Sequence, residues 1–192
     1  MGVSMVNAQS LTNFLKEEVP FTNKDSISSF NVGLEVFGGV EVQYSRSFSL
    51  KLDYSYFFKS YTYTQVSYYT FDYFYQVHQP YLMAYYVVPG KHYSFKFGGG
   101  LGFLYAIFHR TDDRASDARY TSTGMGIKGE VIFTADLSKR MESYLSGFIK
   151  GDSFAKLKDS GGHSMTTLNS GQEVDLNSFA VGLRLGFSVK LN

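Results

Sequence analysis

Residues 178–191 alternate without interruption between large apolar side chains and small or polar ones. The odd positions carry Phe179, Val181, Leu183, Leu185, Phe187, Val189 and Leu191, and the even positions carry Ser178, Ala180, Gly182, Arg184, Gly186, Ser188 and Lys190. Successive side chains of a β-strand point to opposite faces, so this segment predicts a strand with one wholly apolar face. No apolar run in the chain approaches the roughly 20 residues of a membrane-spanning helix. The chain is therefore predicted to be built from sheet.

Five upstream segments repeat this alternation, at residues 32–44, 48–58, 73–87, 93–107 and 125–133. In the third segment the residues of the predicted apolar stripe, which lie on one face, are Tyr73, Tyr75, Val77, Tyr81, Met83, Tyr85 and Val87. The opposite face carries Asp72, Gln76, His78 and Ala84. Residues 141–156 alternate less cleanly, because Leu145 and Ile149 compete with Tyr144 and Phe148 for one face, and a β-bulge is predicted there. Together with the C-terminal strand this makes seven predicted strands.

The connections between these strands alternate in length. Residues 45–47, 88–91 and 136–139 read as tight turns, whereas residues 60–70, 110–120 and 158–176 read as wide, mostly polar loops. Short turns at one end and long loops at the other are typical of bacterial outer-membrane barrels, in which the long loops face outside. The pattern predicts an antiparallel up-and-down β-barrel.

The volume of the apolar stripes indicates which face is outside. An interior of eight strands is only just wide enough for side chains to fill, and the small, glycine-rich face suits it better than the bulky face. A soluble barrel would in addition need a heavily charged outer surface, yet only 18% of the residues are charged. We therefore predict a transmembrane barrel with lipid-facing apolar stripes, and keep a soluble ligand-binding barrel as an alternative.

The N-terminal residues are expected to supply an eighth strand, because bacterial single-chain barrels have an even strand count. For residues 1–8 the tail of a signal peptide and an ordinary flexible terminus are both open. Residues 9–28 are an N-terminal segment, in which Leu11, Phe14 and Leu15 have helical spacing. A short strand around residues 19–29, a plug inside the barrel and a partner that completes the wall all remain open. The barrel proper is assigned to residues 29–192.

The predicted inward positions collect charged residues. Unpaired charges in a narrow interior are costly, so these side chains are expected to form an ion-pair network that fills the lumen. A register that opposes Tyr44 to Phe48 would set Glu41 opposite Lys51. A polar conduit through the barrel is the less favoured interpretation. The predicted network is Glu35, Glu41, Lys51, Asp53, Lys96, Lys128, Glu130, Arg184 and Lys190.

Aromatic residues are concentrated in residues 54–75. An outer aromatic girdle explains part of this content, since amphipathic rings favour the membrane interface. The excess suggests a hairpin that rises above the membrane and docks a partner, because Tyr is enriched at protein contacts. The candidate docking aromatics are Tyr61, Tyr63, Tyr68, Tyr69, Phe71 and Tyr73.

Two hairpins resemble those of the outer-membrane β-barrel family common in Bacteroidota. They are residues 79–102, which run Gln-Pro-Tyr-Leu-Met-Ala-Tyr-Tyr, a turn, and Tyr-Ser-Phe-Lys-Phe-Gly-Gly-Gly-Leu-Gly, and the earlier hairpin at residues 40–50. The resemblance spans residues 30–192. It implies an outer-membrane location in a Gram-negative bacterium and a small eight-stranded barrel, without a specific activity.

Catalysis is the alternative function considered. His163, Ser164 and Glu173 have the residue types of a Ser–His–acid hydrolase and weakly resemble outer-membrane lipid A deacylases, although the His-x-Ser-Asn order of that family is absent. Adjacent side chains on an extended segment point apart, so no catalytic residues are assigned. His78, His92 and His109 lack metal-ligand spacing, and no metal or cofactor is predicted.

The sequence therefore favours a non-enzymatic outer-membrane barrel, either an accessory subunit of an envelope complex or a surface protein acting through its loops. Lipid and other outer-membrane proteins are the expected partners. A net charge of +1 gives no reason to expect nucleic acid. No feature identifies a ligand or a transported solute.

Overall fold

The computed structural model describes residues 1–18, 32–65, 69–112, 117–167 and 171–190. These residues form one helix and eight strands, and the predicted all-β architecture with a short N-terminal helix is confirmed. The elements are β1 (Gly2–Asn7), α1 (Gln9–Glu18), β2 (Val32–Ser45), β3 (Phe48–Gln65), β4 (Tyr69–Pro89), β5 (Tyr93–Asp112), β6 (Asp117–Asp136), β7 (Met141–Phe154) and β8 (Ser178–Val189).

The strands form a closed barrel in sequence order, each antiparallel to the next, and β8 returns to pair with β1. The connections β2–β3, β4–β5 and β6–β7 are short and lie at one end, here called the turn end. The strand ends that the other connections join lie, with α1, at the opposite end of the barrel, here called the loop end. The strands β3 to β6 are the longest and extend furthest at the loop end.

The eighth strand lies earlier in the chain than the suggested residues 19–29, which lie outside the described residues. The sequence predicts a barrel that begins at residue 29, whereas Gly2–Asn7 form β1 in its wall. Val3 and Met5 point outward, and Ser4 and Val6 point inward. The barrel therefore includes residues 2–7 as well as the segment from β2 onward.

The register of the first hairpin agrees in part with the sequence. Glu41 stands opposite Lys51 as predicted. The predicted pairing of Tyr44 with Phe48 is wrong, because the register shifts between Gln43 and Ser45 and Phe48 pairs with Ser45. The bulge predicted within residues 141–156 is wrong, since β7 keeps an unbroken register with both β6 and β8. Leu145 and Ile149 face outward, and Tyr144 and Phe148 face the lumen.

The orientation predicted for the third stripe is also wrong. Tyr73, Tyr75, Val77, Tyr81, Met83, Tyr85 and Val87 are buried inside the barrel. The outward residues of β4 include Leu82, Tyr86 and Val88. The reason lies in β5, where Gly98, Gly100 and Gly102 stand opposite Tyr85, Met83 and Tyr81. Because these glycines lack side chains, the bulky residues of β4 fit over them on the inner face.

The outer surface of the barrel is apolar on all eight strands. The exposed large residues include Met5, Val40, Leu52, Leu82, Leu101, Ile127, Ile149 and Leu183. No helix in the described part of the chain has the length and apolar character needed to cross a membrane.

Candidate functional site

The lumen contains an ion-pair network centred on Arg184 of β8. Its Nη1 donates to Asp53 Oδ2 at 2.8 Å and lies 3.6 Å from Glu130 Oε1, while Nη2 donates to Glu35. All four side chains are almost inaccessible to solvent. The three carboxylates come from β2, β3 and β6, so the guanidinium connects β8 to three strands that are not its neighbours in the sheet.

Asp53 contacts all three cations of this network, Lys51, Lys128 and Arg184. Lys51 Nζ lies 2.8 Å from its Oδ1, and Lys128 Nζ donates to its Oδ2 at 3.0 Å. Lys128 also approaches Glu130 Oε2 at 3.3 Å. The network therefore contains three carboxylates and three cations, so its formal charge is zero.

Glu130 accepts additional hydrogen bonds from hydroxyl groups. Tyr85 Oη donates to its Oε2 at 2.6 Å, and Tyr144 Oη and Ser146 Oγ donate to its Oε1 at 3.0 and 2.7 Å. Hydrogen bonds to a charged group are stronger than those between neutral groups. They help to offset the cost of removing the carboxylate from water.

Aromatic rings pack around the cations. The Arg184 guanidinium carbon lies 4.9 Å from the ring centroids of both Phe37 and Phe148. Lys128 Nζ lies 5.1 Å from the Phe148 centroid. These are favourable cation–π distances, and the rings also exclude water from the ion pairs.

A second polar group lies next to the network, on the side toward the loop end. Lys150 Nζ donates to Gln79 Oε1 at 2.5 Å and lies 3.6 Å from Asp152 Oδ2. Tyr81 Oη donates to Asp152 Oδ1 at 2.8 Å, and Ser55 Oγ donates to Gln79. This group is also neutral in total charge. In the Arg184 network, Glu35 Oε2 and Arg184 Nε are buried without a hydrogen-bond partner, so the charges balance although not every polar atom is paired.

The nine residues predicted for the lumen network separate into three sets. The structure brings together Glu35, Lys51, Asp53, Lys128, Glu130 and Arg184. Glu41 and Lys96 form a separate, partly exposed pair at 2.6 Å. Although Glu41 stands opposite Lys51, its ion partner is therefore Lys96 on another strand.

Placing Lys190 in the lumen network is wrong. Its ammonium lies at the turn-end rim, 2.7 Å from Glu142 Oε1 and 3.0 Å from Asp136 Oδ1, and its side chain is 47% exposed. Hydrogen bonds to these two carboxylates raise the pKa of Lys190 above its ordinary value. The alternation of β8 predicts an inward direction for this residue, but it lies beyond the end of the strand.

Sequence reasoning missed the polar side chains of β4 and β7 that point into the lumen and bind its charged groups. The sequence pattern predicts that Tyr81 and Tyr85 face lipid and leaves the direction of Lys150 and Asp152 open, whereas all four side chains are buried in the lumen. The direction of the β7 side chains follows from the register between β7 and β8, in which Arg184 stands opposite Ser146. Once Arg184 is placed inside, the even positions of β7 follow it inside.

The loop end of the lumen is closed by apolar packing. Leu11, Phe14 and Leu15 of α1 are buried, and the Phe14 ring meets the Phe108 ring edge-on at 6.4 Å. Residues 155–167 and 171–176 fold over the same region, where the Leu157 N–H donates to the Val174 carbonyl at 3.0 Å. We call α1 together with these residues the plug. The buried apolar side chains of residues 155–167 and 171–176 are Leu157, Met165, Val174 and Leu176.

The candidate docking aromatics lie on the extended β3–β4 hairpin. Tyr61 stands opposite Tyr73, and Tyr63 stands opposite Phe71. Tyr73 is wrong as a docking residue, because it is buried inside the barrel and its ring stacks on Phe108. Tyr68 lies outside the described residues. Only the backbone is described for Tyr61, Tyr63, Tyr69 and Phe71, whose docking role stays a prediction.

The His163 loop has a local hydrogen-bonding arrangement. Asp159 Oδ1 accepts from the backbone N–H groups of Gly161 and His163, at 2.9 and 2.8 Å, and the His163 ring contacts Asp159 Oδ2 at 3.2 Å. The hydrogen bond from the His163 backbone lowers the pKa of Asp159. The described partner of the histidine ring is therefore the carboxylate that organises the turn. Within the described residues no cluster of His, Asp and Glu side chains could hold a metal ion.

Two bands of aromatic residues flank the apolar outer surface. At the turn end, the ring of Phe133 lies 5.1 Å from that of Phe95 and 6.3 Å from that of Tyr93. Toward the loop end, Tyr54 Oη lies 2.7 Å from His78 Nδ1, and the Tyr56 and Tyr105 rings lie beside the same histidine. Both bands carry rings with a polar tip at the edge of an apolar surface.

Comparison of the chain with family models, with curated proteins and with solved structures finds no match. The resemblance of the two hairpins to the barrel family common in Bacteroidota therefore stays a prediction.

Proposed function

We propose that the protein is an outer-membrane β-barrel of a Gram-negative bacterium that neither conducts solutes nor catalyses a reaction, and that serves as an accessory subunit of an envelope complex. The observation that carries this proposal is the inverted polarity of the barrel. Large apolar side chains point outward on every strand, while buried ion pairs occupy the interior. A soluble barrel has the opposite arrangement.

The dimensions of the apolar surface support a membrane location. At about 3.4 Å per residue, the stripe from Phe179 to Val189 is about 34 Å long. With a strand tilt of about 40°, its height along the barrel axis is about 26 Å, close to the apolar band of outer-membrane barrels. The two aromatic bands lie at the positions expected for the interfacial girdles.

The lumen supports a role without transport. The neutral network, the Lys150 group and the plug occupy it in succession from the turn end to the loop end. An ion entering this space would have to displace charges that are already paired, at a high desolvation cost. The function is then carried by the outer surface, the loops and the protein's contacts with neighbours in the membrane.

Cell fractionation combined with a heat-modifiability gel tests the proposal. We expect the protein in the outer-membrane fraction, with the unheated form migrating faster than the boiled form, because a folded barrel is more compact than the unfolded chain. Recovery in the aqueous phase without detergent would contradict it and support a soluble barrel. In planar bilayers the purified protein should give no stable conductance steps, with a porin as the positive control.

Purification from native membranes in mild detergent tests the accessory role. A stoichiometric protein that remains bound through two chromatography steps supports it. A monomer under the mildest conditions that still extract the protein would leave the membrane location intact and reject the accessory role.

A further inference from the structure

The turn end of the barrel presents exposed cations. They lie in the short turns and are Arg46, Lys91, Lys139 and Arg140. The carboxylates of Asp136 and Glu142 lie beside these turns, but both already contact the Lys190 ammonium. Within the described part of the chain none of the four forms an ion pair. The turn end therefore carries a surplus of positive charge.

Three of these cations lie on or next to the β6–β7 hairpin. Lys139 and Arg140 belong to its turn, at residues 137–140. Lys91 lies in the β4–β5 turn, which a hydrogen bond of 2.9 Å from the Asp136 N–H to the His92 carbonyl joins to the end of β6. The aromatic band of the turn end begins on the same strands. If the apolar surface spans a membrane, these cations lie at the level of the lipid headgroups.

An apolar groove lies on the outer surface of the same hairpin. It has a volume of about 880 Å³ and includes Gly129 of β6 and Gly147 of β7, which present no side chains to it. Val131, Ile149 and Leu183 are among the large residues that form its walls. Its lining is almost entirely apolar. We call it the outer groove.

The packing of the barrel wall does not require glycine at these two positions. A Cβ built at Gly129 meets its nearest atom, Ile149 Cγ2, at 3.5 Å, and one built at Gly147 meets Leu183 Cδ2 at 3.6 Å. Both are ordinary van der Waals contacts. Glycine inside a strand weakens it and often marks a site where a ligand approaches the backbone closely. The outer groove is therefore suited to hold a ligand against the wall.

The separation of the cations from the outer groove matches the length of a lipid in one leaflet. Arg140 and Gly147 are seven residues apart. This is about 24 Å along the strand, or about 18 Å along the barrel axis at a strand tilt of about 40°. One leaflet contributes about half of the roughly 30 Å hydrocarbon core. An acyl chain whose headgroup lies at the turns therefore reaches the outer groove.

From this arrangement we infer that the turn end and the outer groove bind an anionic phospholipid. Its phosphate lies among Lys91, Lys139 and Arg140, since ammonium and guanidinium groups donate strong hydrogen bonds to phosphate. One of its acyl chains occupies the outer groove. The inference rests on the proposed membrane location. An acidic protein or a free phosphate would account for the cations but not for the groove, and a lipid without net charge would not need the cations.

Native mass spectrometry of the detergent-solubilised barrel tests this inference. The protein is mixed with equal amounts of phosphatidylglycerol and phosphatidylcholine that carry the same acyl chains. We expect at least about fivefold more of the phosphatidylglycerol adduct, because basic residues at the headgroup level attract anionic lipid. Inorganic phosphate at the same concentration should not displace it. Equal adducts of the two lipids, or displacement by phosphate, would overturn the inference.

Charge variants locate the headgroup site. The double variant Lys139→Gln, Arg140→Gln should lower the phosphatidylglycerol adduct at least about fivefold. The matched control, Lys16→Gln with Lys158→Gln, removes the same charge from exposed positions at the loop end and should leave the adduct unchanged. Equal losses in the two double variants would show a response to total charge alone, and no loss in either would place the phosphate elsewhere. Both results reject the site.

Groove variants test the position of the acyl chain. Gly147→Val fills the outer groove and should lower the adduct at least about threefold, with a smaller loss for Gly147→Ala, because added side-chain volume excludes the acyl chain. The control is Gly151→Val, on the outer face of the same strand but outside the groove, where a Cβ meets its nearest atom, Ile127 Cγ2, at 3.8 Å. A heat-modifiability gel establishes that each variant is folded. Equal adducts for Gly147→Ala, Gly147→Val and Gly151→Val would reject the groove as the binding site.

Failure of this inference is distinguishable from failure of the proposed function. If the protein is absent from the outer-membrane fraction, the proposed function fails and the lipid site fails with it. An outer-membrane protein without a preference for phosphatidylglycerol rejects the lipid site alone.

Discussion

The ring of Tyr81 occupies the space where a side chain at Gly102 would lie. The two residues are register partners on β4 and β5, and a Cβ at Gly102 would come within 2.7 Å of the ring and 2.8 Å of the Pro80 carbonyl oxygen. This relationship explains why β4 turns its tyrosines inward, and it makes glycine a packing requirement at this position.

Replacing Gly102 with alanine should destabilise the barrel by about 1–3 kcal/mol, because the added methyl group overpacks the lumen. The matched control is Gly129→Ala. A Cβ there meets its nearest atom, Ile149 Cγ2, at 3.5 Å, an ordinary contact. The control should leave stability unchanged or raise it by up to about 1 kcal/mol, by restricting the unfolded chain. Urea titration in lipid vesicles measures both, and equal losses would contradict the packing argument.

The adjacent residues Tyr85 and Tyr86 test the orientation of β4. Tyr85 is 1% exposed and donates to Glu130, whereas Tyr86 is 61% exposed on the outer surface. Tyr85→Phe should cost about 1.5–3 kcal/mol, the value of a hydrogen bond to a charged group. Tyr86→Phe should change the free energy of unfolding by much less. A reversed order of the two losses would show that β4 faces the other way.

Arg184→Met should be among the most damaging substitutions in the lumen. It leaves Glu35 without its guanidinium and weakens the pairing of Asp53, and breaking a buried ion pair from one side costs about 3–5 kcal/mol. Adding Glu35→Gln should recover part of the loss, because it removes an uncompensated charge. Lys190→Met, at the exposed rim, is the control and should have a small effect. No recovery in the double variant would argue against coupling between Arg184 and Glu35.

A lysine on the outer surface distinguishes lipid from water as the surrounding medium. Leu183 and Leu137 are similarly exposed, at 65% and 58%. Leu183 lies in the middle of the apolar outer surface of the barrel, whereas Leu137 lies in a turn. In a bilayer, Leu183→Lys should cost about 2–4 kcal/mol and Leu137→Lys close to nothing. If neither substitution changes the free energy of unfolding in vesicles, the apolar outer surface does not face lipid.

The rim contact of Lys190 predicts a pH dependence. Its pKa is raised in the folded protein, so its stabilising contribution is complete below the ordinary lysine pKa and is lost as the pH rises through the raised value. The contribution is small, because the side chain is partly exposed to solvent. Comparing the unfolding of the protein with that of Lys190→Met from neutral to strongly alkaline pH should show the two curves converging at the alkaline end.

The features that sequence reasoning recovered are set by local patterns. The alternation of β8 fixes its apolar face, and the short turn after β2 fixes Glu41 opposite Lys51. Both depend on residues that are close in the chain. The same alternation of side chains predicts that the charged residues of β2, β3, β6 and β8 point into the lumen.

The orientation of β4 could not be read from its own residues, because both of its faces carry large side chains. Leu82 and Tyr86 satisfy the alternation as well as Tyr81 and Tyr85 do. The orientation of β4 is decided by the glycines on the inner face of β5, which leave room for large side chains. This effect depends on the pairing of the two strands. β1 was missed for another reason, since six residues with two valines and a methionine are too short to separate from a leader or a flexible end.

The position of Arg184 on the last strand has a consequence for assembly. The acids that it neutralises lie on β2, β3 and β6, and these strands are synthesised before β8. Until β8 docks, the interior has three carboxylates and only the two lysines Lys51 and Lys128, which is a surplus of one negative charge. Closing the ring and neutralising the interior are therefore the same event. An unfinished molecule therefore differs from a finished one in charge as well as in shape.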